Sequence, residues 1–319
     1  MDALSHFLAL YVPRGSLDVR CHLSAPWELE HQPEAAGIVP YHVIVEGNAR
    51  LDMAGRPTVL LQAGDIVVLP RGSAHRLRAG AGDASGTPGA AVVQDAGLPV
   101  RVKTNAGTGA RCDILCGRFE FPDAAGVALL SAFPDLLLVR SAANPAFSGL
   151  QALTAMLRFE TDSMRPGAAA LVSQLSAVLF GLLIRAWTDG AGGLRGLLGA
   201  LSERRLQAAL LGMFAEPERP WTLDDMARAC HMSRATFVRL FHQATGSSAA
   251  ATLLQIRMAQ AARWLQRGGR SIAAVGEAVG YQSEAAFSRA FKKCFGVAPG
   301  QYRRALEAAV PVVEAVRSP

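Results

Sequence analysis

Residues 221–246 and 270–296 carry one pattern twice. The first segment reads WTLDDMARACHMSRATFVRLFHQATG and the second RSIAAVGEAVGYQSEAAFSRAFKKCFG. Thr222, Met226, Ala229, Phe237, Arg239, Phe241 and Gly246 correspond to Ser271, Val275, Ala278, Phe287, Arg289, Phe291 and Gly296. The offset is 49 residues before the internal turn and 50 after it, so the second copy holds one extra turn residue. Each copy reads as a helix, a short turn and a second helix. Two such units in one chain can enter two major-groove segments about one helical turn, roughly 34 Å, apart.

The residue types fit that reading. Thr222 suits an N-cap, and Asp224 and Asp225 fall in the first turn, where the helix dipole favours negative charge. Ser233 and Ser283 would cap the second helices, with Gly280 at the tight turn. Phe237/Phe241 and Phe287/Phe291 lie four apart and share a buried face. The opposite faces present Arg234, Ala235, Val238, Arg239 and His242 in the first copy. In the second they present Glu284, Ala285, Ser288, Arg289 and Lys292. These ten are the expected DNA-contacting residues. Arg239 and Arg289 are equivalent and could meet a guanine in a bidentate contact or clamp a phosphate. Residues 249–267, with Leu253, Ile256, Ala259 and Leu265 apolar, read as the helix joining the units.

Charge agrees. Up to residue 202, 16 basic residues face 17 acidic ones, whereas residues 203–304 hold 15 against 7. The positive excess sits with the repeat, as a phosphate-binding module requires. The 319 residues are half hydrophobic, enough for about two domains. No uninterrupted apolar run reaches bilayer-spanning length, and the start MDALSHFLALYVPRGS lacks a basic leader and a cleavage signal. The expectation is a cytoplasmic protein with no membrane partner.

The expected fold is α+β. Residues 1–125 read as a β-barrel from strands such as Tyr41–Val45, Ala49–Met53, Val59–Leu61, 66–70 and Asp113–Cys116, with Gly47, Gly55, Gly64 and Gly72 as punctuation. Residues 79–110 read as a flexible insertion in it. Residues 126–200 read as a helical linker and dimerisation segment. Within it, 149–164 is one helix, and 167–187 is a helix apolar on nearly every face, buried either in its own subunit or in a homodimer interface. Gly190, Gly192, Gly193 and Gly196 suggest a flexible connection to an all-α domain over 201–305, followed by a tail over 306–319.

The cysteines number five: Cys21, Cys112, Cys116, Cys230 and Cys294. Cys230 and Cys294 read as packing residues. Cys112 and Cys116 share one face of a strand. Cys21 stands beside Arg14, Arg20 and His22, which would lower its pKa and expose a thiolate, or it is a half-buried thiol without a role.

The double helix-turn-helix ending in GYQSEAAFSRAFKKCFGVAPGQYRR resembles the DNA-binding domain of the AraC/XylS transcription regulators, over roughly residues 203–304. One departure is His231, where members often have Gly; His tolerates positive φ better than most residues. The segment from Gly64 to Pro70, Gly72 and His75 resembles the second motif of the cupin barrel, although Ala79 replaces that motif's Asn. The first cupin motif is defective, with Pro40 at its Glu position. His42 and His75 remain as pocket-lining residues. They are also the two candidate metal ligands, with Cys21 or Glu46 as a third. The defective motif argues against a metal, so no cofactor is expected.

Pro13, Gly15, Asp18, Cys21, Leu23, Trp27, His42, the stretch 69–77 and Cys116-Gly117 resemble the AraC-type activators that respond to reactive chlorine species. That resemblance implies that Cys21 and Cys116 are a redox-sensing pair; Cys112 matches no equivalent cysteine there and is kept as a further redox candidate. The implied protein is not an enzyme. It is an activator on promoter double-stranded DNA, a homodimer and a partner of RNA polymerase. Two alternatives stay open: a regulator binding a small organic ligand near His42 and His75, and a metal-dependent cupin enzyme carrying a DNA-binding tail.

Overall fold

The computed structural model describes residues 1–79, 92–94, 98–130, 133–142, 144–163, 165–190 and 195–309. Residues 80–91 and 95–97 of the 79–110 insertion, Gly192 and Gly193, and the tail beyond 309 lie outside them.

The elements run in the order α1 (Ala3–Leu10), β1 (Arg14–Ser24), β2 (Trp27–His31), β3 (Ile38–Glu46), β4 (Asn48–Met53), β5 (Val59–Gln62), β6 (Asp65–Val68), β7 (His75–Ala79), β8 (Val92–Gln94), β9 (Arg101–Thr104) and β10 (Arg111–Glu120). Then follow α2 (Ala124–Leu130), β11 (Leu137–Arg140), α3 (Ser148–Thr161), α4 (Ala168–Asp189), α5 (Gly196–Ser202) and α6 (Gln207–Ala215). The last six are α7 (Leu223–Ala229), α8 (Arg234–Thr245), α9 (Ala249–Arg267), α10 (Ile272–Ala278), α11 (Glu284–Phe295) and α12 (Pro299–Ala309). The α+β architecture expected from the sequence is present.

By contacts the chain forms two compact units. One holds residues 12–122 and 126–194; the other holds 1–11, 123–125 and 195–319. The first eleven residues therefore group with the helical unit, not with the barrel that the sequence assigned to 1–125. The reason is α1, a helix the strand reading passed over. Asp2 caps it by accepting the Ser5 N–H at 2.8 Å, and Ala3 and Phe7 are buried.

The first unit has two sheets. One has the order β11-β6-β3-β10-β1-β9-β8 and the other β2-β7-β4-β5. All pairs are antiparallel except β1 with β9. Inward residues of both sheets share one core that includes Cys21, Leu23, Trp27, Leu51, Leu61, Leu77, Ile114 and Cys116. The insertion is not all loop: β9 extends the sheet beside β1, and Asn105 exchanges two 2.8 Å hydrogen bonds with the Ser24 backbone.

The outer face of the larger sheet is covered by α4. That is why β3 and β10 are buried on both faces instead of alternating. Close approach depends on two glycines. A Cβ on Gly15 would lie 2.5 Å from Ala177 N, and one on Gly117 would lie 2.2 Å from Ser16 O and 2.5 Å from the Tyr41 ring. Tyr41 Oη donates to Ser16 O at 2.9 Å and lies 3.2 Å from Ser176 Oγ on α4. Phe180 of α4 packs edge-on against Phe119 and Phe121. By length and composition α4 could cross a membrane. Its inner face, Val172, Leu179, Phe180, Leu183 and Ile184, is buried here, while Leu171 and Val178 are exposed.

In the other unit the repeat folds as two helix-turn-helix pairs, α7–α8 and α10–α11, joined by α9. Thr222, Ser233, Ser271 and Ser283 are all N-caps, and Thr222 with Asp225 forms a full capping box. The paired phenylalanines are buried with ring centroids 5.5 Å and 5.6 Å apart. The central helix buries Leu253, Ile256, Ala259 and Leu265, as expected. The cysteines differ from expectation: Cys230 is half-buried at the end of α7, and Cys294 is exposed in the last turn of α11.

His231 has φ 53° and its counterpart Gly280 φ 86°. Only the second position is crowded: a Cβ on Gly280 would lie 2.6 Å from Glu218 O. Hence histidine is accommodated at one turn and not at the other. Gly280→Ala is expected to cost roughly 2–4 kcal/mol, from left-handed strain plus a backbone overlap. Chemical denaturation tests this, and a loss under about 1 kcal/mol, the strain alone, would refute the overlap.

Candidate functional site

The barrel interior holds three thiols and three imidazoles. In β1, Cys21 points inward, whereas Arg20 and His22 point outward, because alternate residues of a strand face opposite ways. Arg20 is 2% exposed and is taken up by other partners. It donates to Asp113 Oδ1 at 3.1 Å and Oδ2 at 2.8 Å, to Thr161 Oγ1 at 3.1 Å and to Arg158 O at 3.2 Å, and it pairs with Asp162. His22 lies 3.6 Å from the same Asp113. The basic neighbours read from the sequence therefore do not surround the Cys21 thiol. That thiol is 1% exposed in an apolar core.

Its actual neighbours come from β10. Cys21 stands opposite Ile114, so Cys112 and Cys116 sit two residues to either side on the same face. The neighbouring Cys21 thiol and burial together hold the Cys116 thiol well above its usual range. Burial first, and then the charge of Asp113, pushes the Cys112 thiol up to about 12. The structure thus brings Cys21, Cys112 and Cys116 together.

Cys116 also touches one imidazole, His42. His42 Nδ1 lies 3.1 Å from Cys116 Sγ, and His42 Nε2 lies 2.7 Å from His75 Nε2. His75 Nδ1 donates to Ser73 O at 2.9 Å. The third imidazole is His31, opposite His75 across the β2–β7 ladder, with the rings stacked 4.5 Å apart. One ring nitrogen from each of His31, His42 and His75 lies within 4.8 Å of the others. The third member of this cluster is neither Cys21 nor Glu46, the candidates read from the sequence; Glu46 is exposed at the end of β3. Sequence reasoning missed His31 because β2 is a five-residue strand with no turn-flanked alternating run. Only its register with His75 brings it in.

Burial holds all three imidazoles neutral. It pushes His31 down to about 4, with nearby His75 and Lys103 further disfavouring a positive charge there. It holds His42 well below the ordinary range, and it lowers His75 against the opposing Ser73 carbonyl. A cavity of about 430 Å³, lined by His31, His75, Asp52, Met53 and Arg76, leads to the cluster.

The second candidate surface is the pair of recognition helices. Arg234, Ala235, Val238, Arg239 and His242 are exposed on α8. On α11, Glu284, Ala285, Arg289 and Lys292 are exposed and Ser288 is half-buried. Arg234 is held 3.6 Å from Asp224. Among the described residues, Arg239 and Arg289 have no ion pair, so both guanidinium groups are available to a ligand.

A buried-thiol barrel joined to two helix-turn-helix units defines a DNA-binding transcription regulator with an N-terminal cupin-like domain. A cupin family model matches residues 2–189, and a helix-turn-helix domain model matches residues 226–305. The chain belongs to the AraC-type transcription regulators with an N-terminal cupin domain. It is 30% identical to the RCS-specific HTH-type transcriptional activator RclR of Escherichia coli (strain K12), over 98% of this chain and 100% of that protein. It is 31% identical to the HTH-type transcriptional regulator MtrA of Neisseria gonorrhoeae, over 95% and 98%. Among solved structures, the DNA-binding domain of AdpA in complex with a target DNA matches at 28% identity and a TM-score of 0.32, covering 34% of this chain and 98% of that one. The chain is a DNA-binding regulator, not an enzyme.

If Arg239 and Arg289 read bases, Arg239→Ala and Arg289→Ala will each lose about 1–3 kcal/mol of binding to the specific site. Titration against specific and random duplexes checks this. An equal loss on both would make them phosphate contacts.

Proposed function

We propose that this protein activates transcription in response to reactive chlorine species, through oxidation of Cys21 and Cys116. The observation that carries the reading is the diagonal placement of the two thiols on one inward face of the β1–β10 pair, in the buried core of the barrel. Hypochlorous acid transfers chlorine to the Cys21 sulfur, and water leaves with the thiol proton. The Cys116 sulfur then attacks that sulfur, expelling chloride and releasing its own proton. In total, two thiols and one HOCl give one disulfide, water, chloride and a proton, with chlorine reduced by two electrons. Burial of both thiols favours a small neutral oxidant over a bulky one. Cys112 is the alternative resolving thiol, since it flanks Cys21 on the other side.

The exposed apolar faces of α3 (Met156, Phe159) and α4 (Leu171, Val178) support a homodimer through this helix pair. Sedimentation of the protein as a monomer would remove that part of the reading. The dimer acts in the cytoplasm, on promoter DNA with RNA polymerase as partner. The direct test is the thiol state of Cys21, Cys112 and Cys116, by non-reducing peptide mass spectrometry, before and after one equivalent of hypochlorous acid, set beside promoter binding. Unchanged thiols with full induction would refute the mechanism.

A further inference from the structure

We propose that His31, His42 and His75 form a binding site for one divalent transition-metal cation of the zinc class. The site goes beyond the thiol switch and is tested without it.

Three observations carry it. First, the three ligand nitrogens converge within 4.8 Å. A tetrahedral zinc–imidazole shell, with bonds of about 2.0–2.1 Å, needs nitrogens roughly 3.3 Å apart. The spacing is thus reached by small ring movements, including an opening of the 2.7 Å His42–His75 contact. Second, the outer partners that orient metal-bound histidines are in place. The Ser73 carbonyl holds the His75 Nδ1–H and so leaves Nε2 as a lone pair aimed at His42. With its Nε2 on a cation, His42 would turn its Nδ1–H to Cys116 Sγ, already 3.1 Å away. Third, His31 Nε2 is buried with no hydrogen-bond partner among the described residues. A buried polar atom without a partner is costly, and a cation would satisfy it.

The donor set selects the ion. Three neutral imidazoles without a carboxylate suit zinc, copper or nickel and not magnesium or calcium. Three protein ligands leave a fourth position open, and the cavity past His31 and His75 supplies the entry path that a metal site requires. The cupin fold leads one to look for a metal in this barrel, but the ligands here are this chain's own: His31 from β2 stands in for the residues the first cupin motif lacks.

The test uses full-length reduced protein, stripped with a chelator and titrated with zinc and separately with cobalt(II). The expected result is one ion per chain, a rise in melting temperature with zinc, and the visible absorption of four-coordinate cobalt. His31→Ala and His75→Ala should each weaken binding at least tenfold, as the loss of a ligand must if loss of an outer partner alone costs 10–100-fold. Circular dichroism reports whether each variant folds, and the wild-type melting shift serves if one does not. The proposal is overturned if wild-type protein binds no ion, if His31→Ala binds as tightly as wild type, or if binding survives in the histidine variants and is lost in Cys116→Ser. Because the protein stays reduced throughout, failure of the metal site and failure of the thiol switch give different results.

Discussion

Cys21→Ser will leave the protein folded and unresponsive to hypochlorous acid. Serine is close to cysteine in size, so the barrel core around Leu23, Ile114 and Leu77 should keep its packing. No disulfide can form at position 21, and induction of the target promoter should fall to the uninduced level. Cys116→Ser should stop the reaction at an unresolved, chlorinated or sulfenic Cys21, unless Cys112 takes over from the other diagonal position. The triple-thiol arrangement therefore gives a specific readout: a Cys21–Cys112 peptide in the Cys116→Ser protein would identify Cys112 as a substitute. Normal induction in Cys21→Ser would end the proposal.

The register also states how the bond would be felt. Diagonal neighbours on an antiparallel pair have Cα atoms about 7–8 Å apart, and a disulfide draws them to under about 7 Å. Closing Cys21 onto Cys116 must shift β1 along or toward β10. The first turn of that path is Gly15, seated against Ala177 of α4, and Gly117, seated against Tyr41. Neither contact has slack for a methyl group, so strand movement would be passed to α4.

Arg20→Ala will cost about 3–5 kcal/mol, because it leaves the carboxylate of Asp113 buried without its counter-charge. Among the described residues, His22, 3.6 Å away, is then its remaining ion-pair partner. The same change removes the bonds from β1 to Thr161 and the Arg158 carbonyl at the end of α3. For a protein whose whole stability is about 5–15 kcal/mol, this is a large share. Urea denaturation measures it, and a cost below about 1 kcal/mol, typical of a surface pair, would contradict the geometry. A double replacement, Arg20→Met with Asp113→Leu, should recover part of the loss, since a buried ion pair can be exchanged for apolar packing of similar volume.

The two outcomes separate what was legible from what was not. The helix-turn-helix pairs were legible because their determinants are local: caps at Thr222, Ser233, Ser271 and Ser283, phenylalanines at helical spacing, and glycine or histidine at the turn. The outward faces follow from the same period, so Arg239 and Arg289 were found at equivalent places. The surroundings of Cys21 were misread because neighbours in a strand's sequence are not neighbours in space. Arg20 and His22 flank Cys21 along the chain and lie on the other face of the sheet. His31 escaped because its role depends on pairing with His75, 44 positions away. The helix α1 escaped because it belongs by contact to residues after 195.

By itself the sequence determined the class of protein: a double DNA-reading module, basic where the repeat lies, attached to a barrel. Those properties are written in period, charge and capping, each set within a few residues. Tertiary structure alone decided which thiols meet, which imidazoles converge and which arginine is spent on a buried carboxylate. Each of these is a matter of strand register, and a shift of a single residue would turn every one of those side chains to the opposite face.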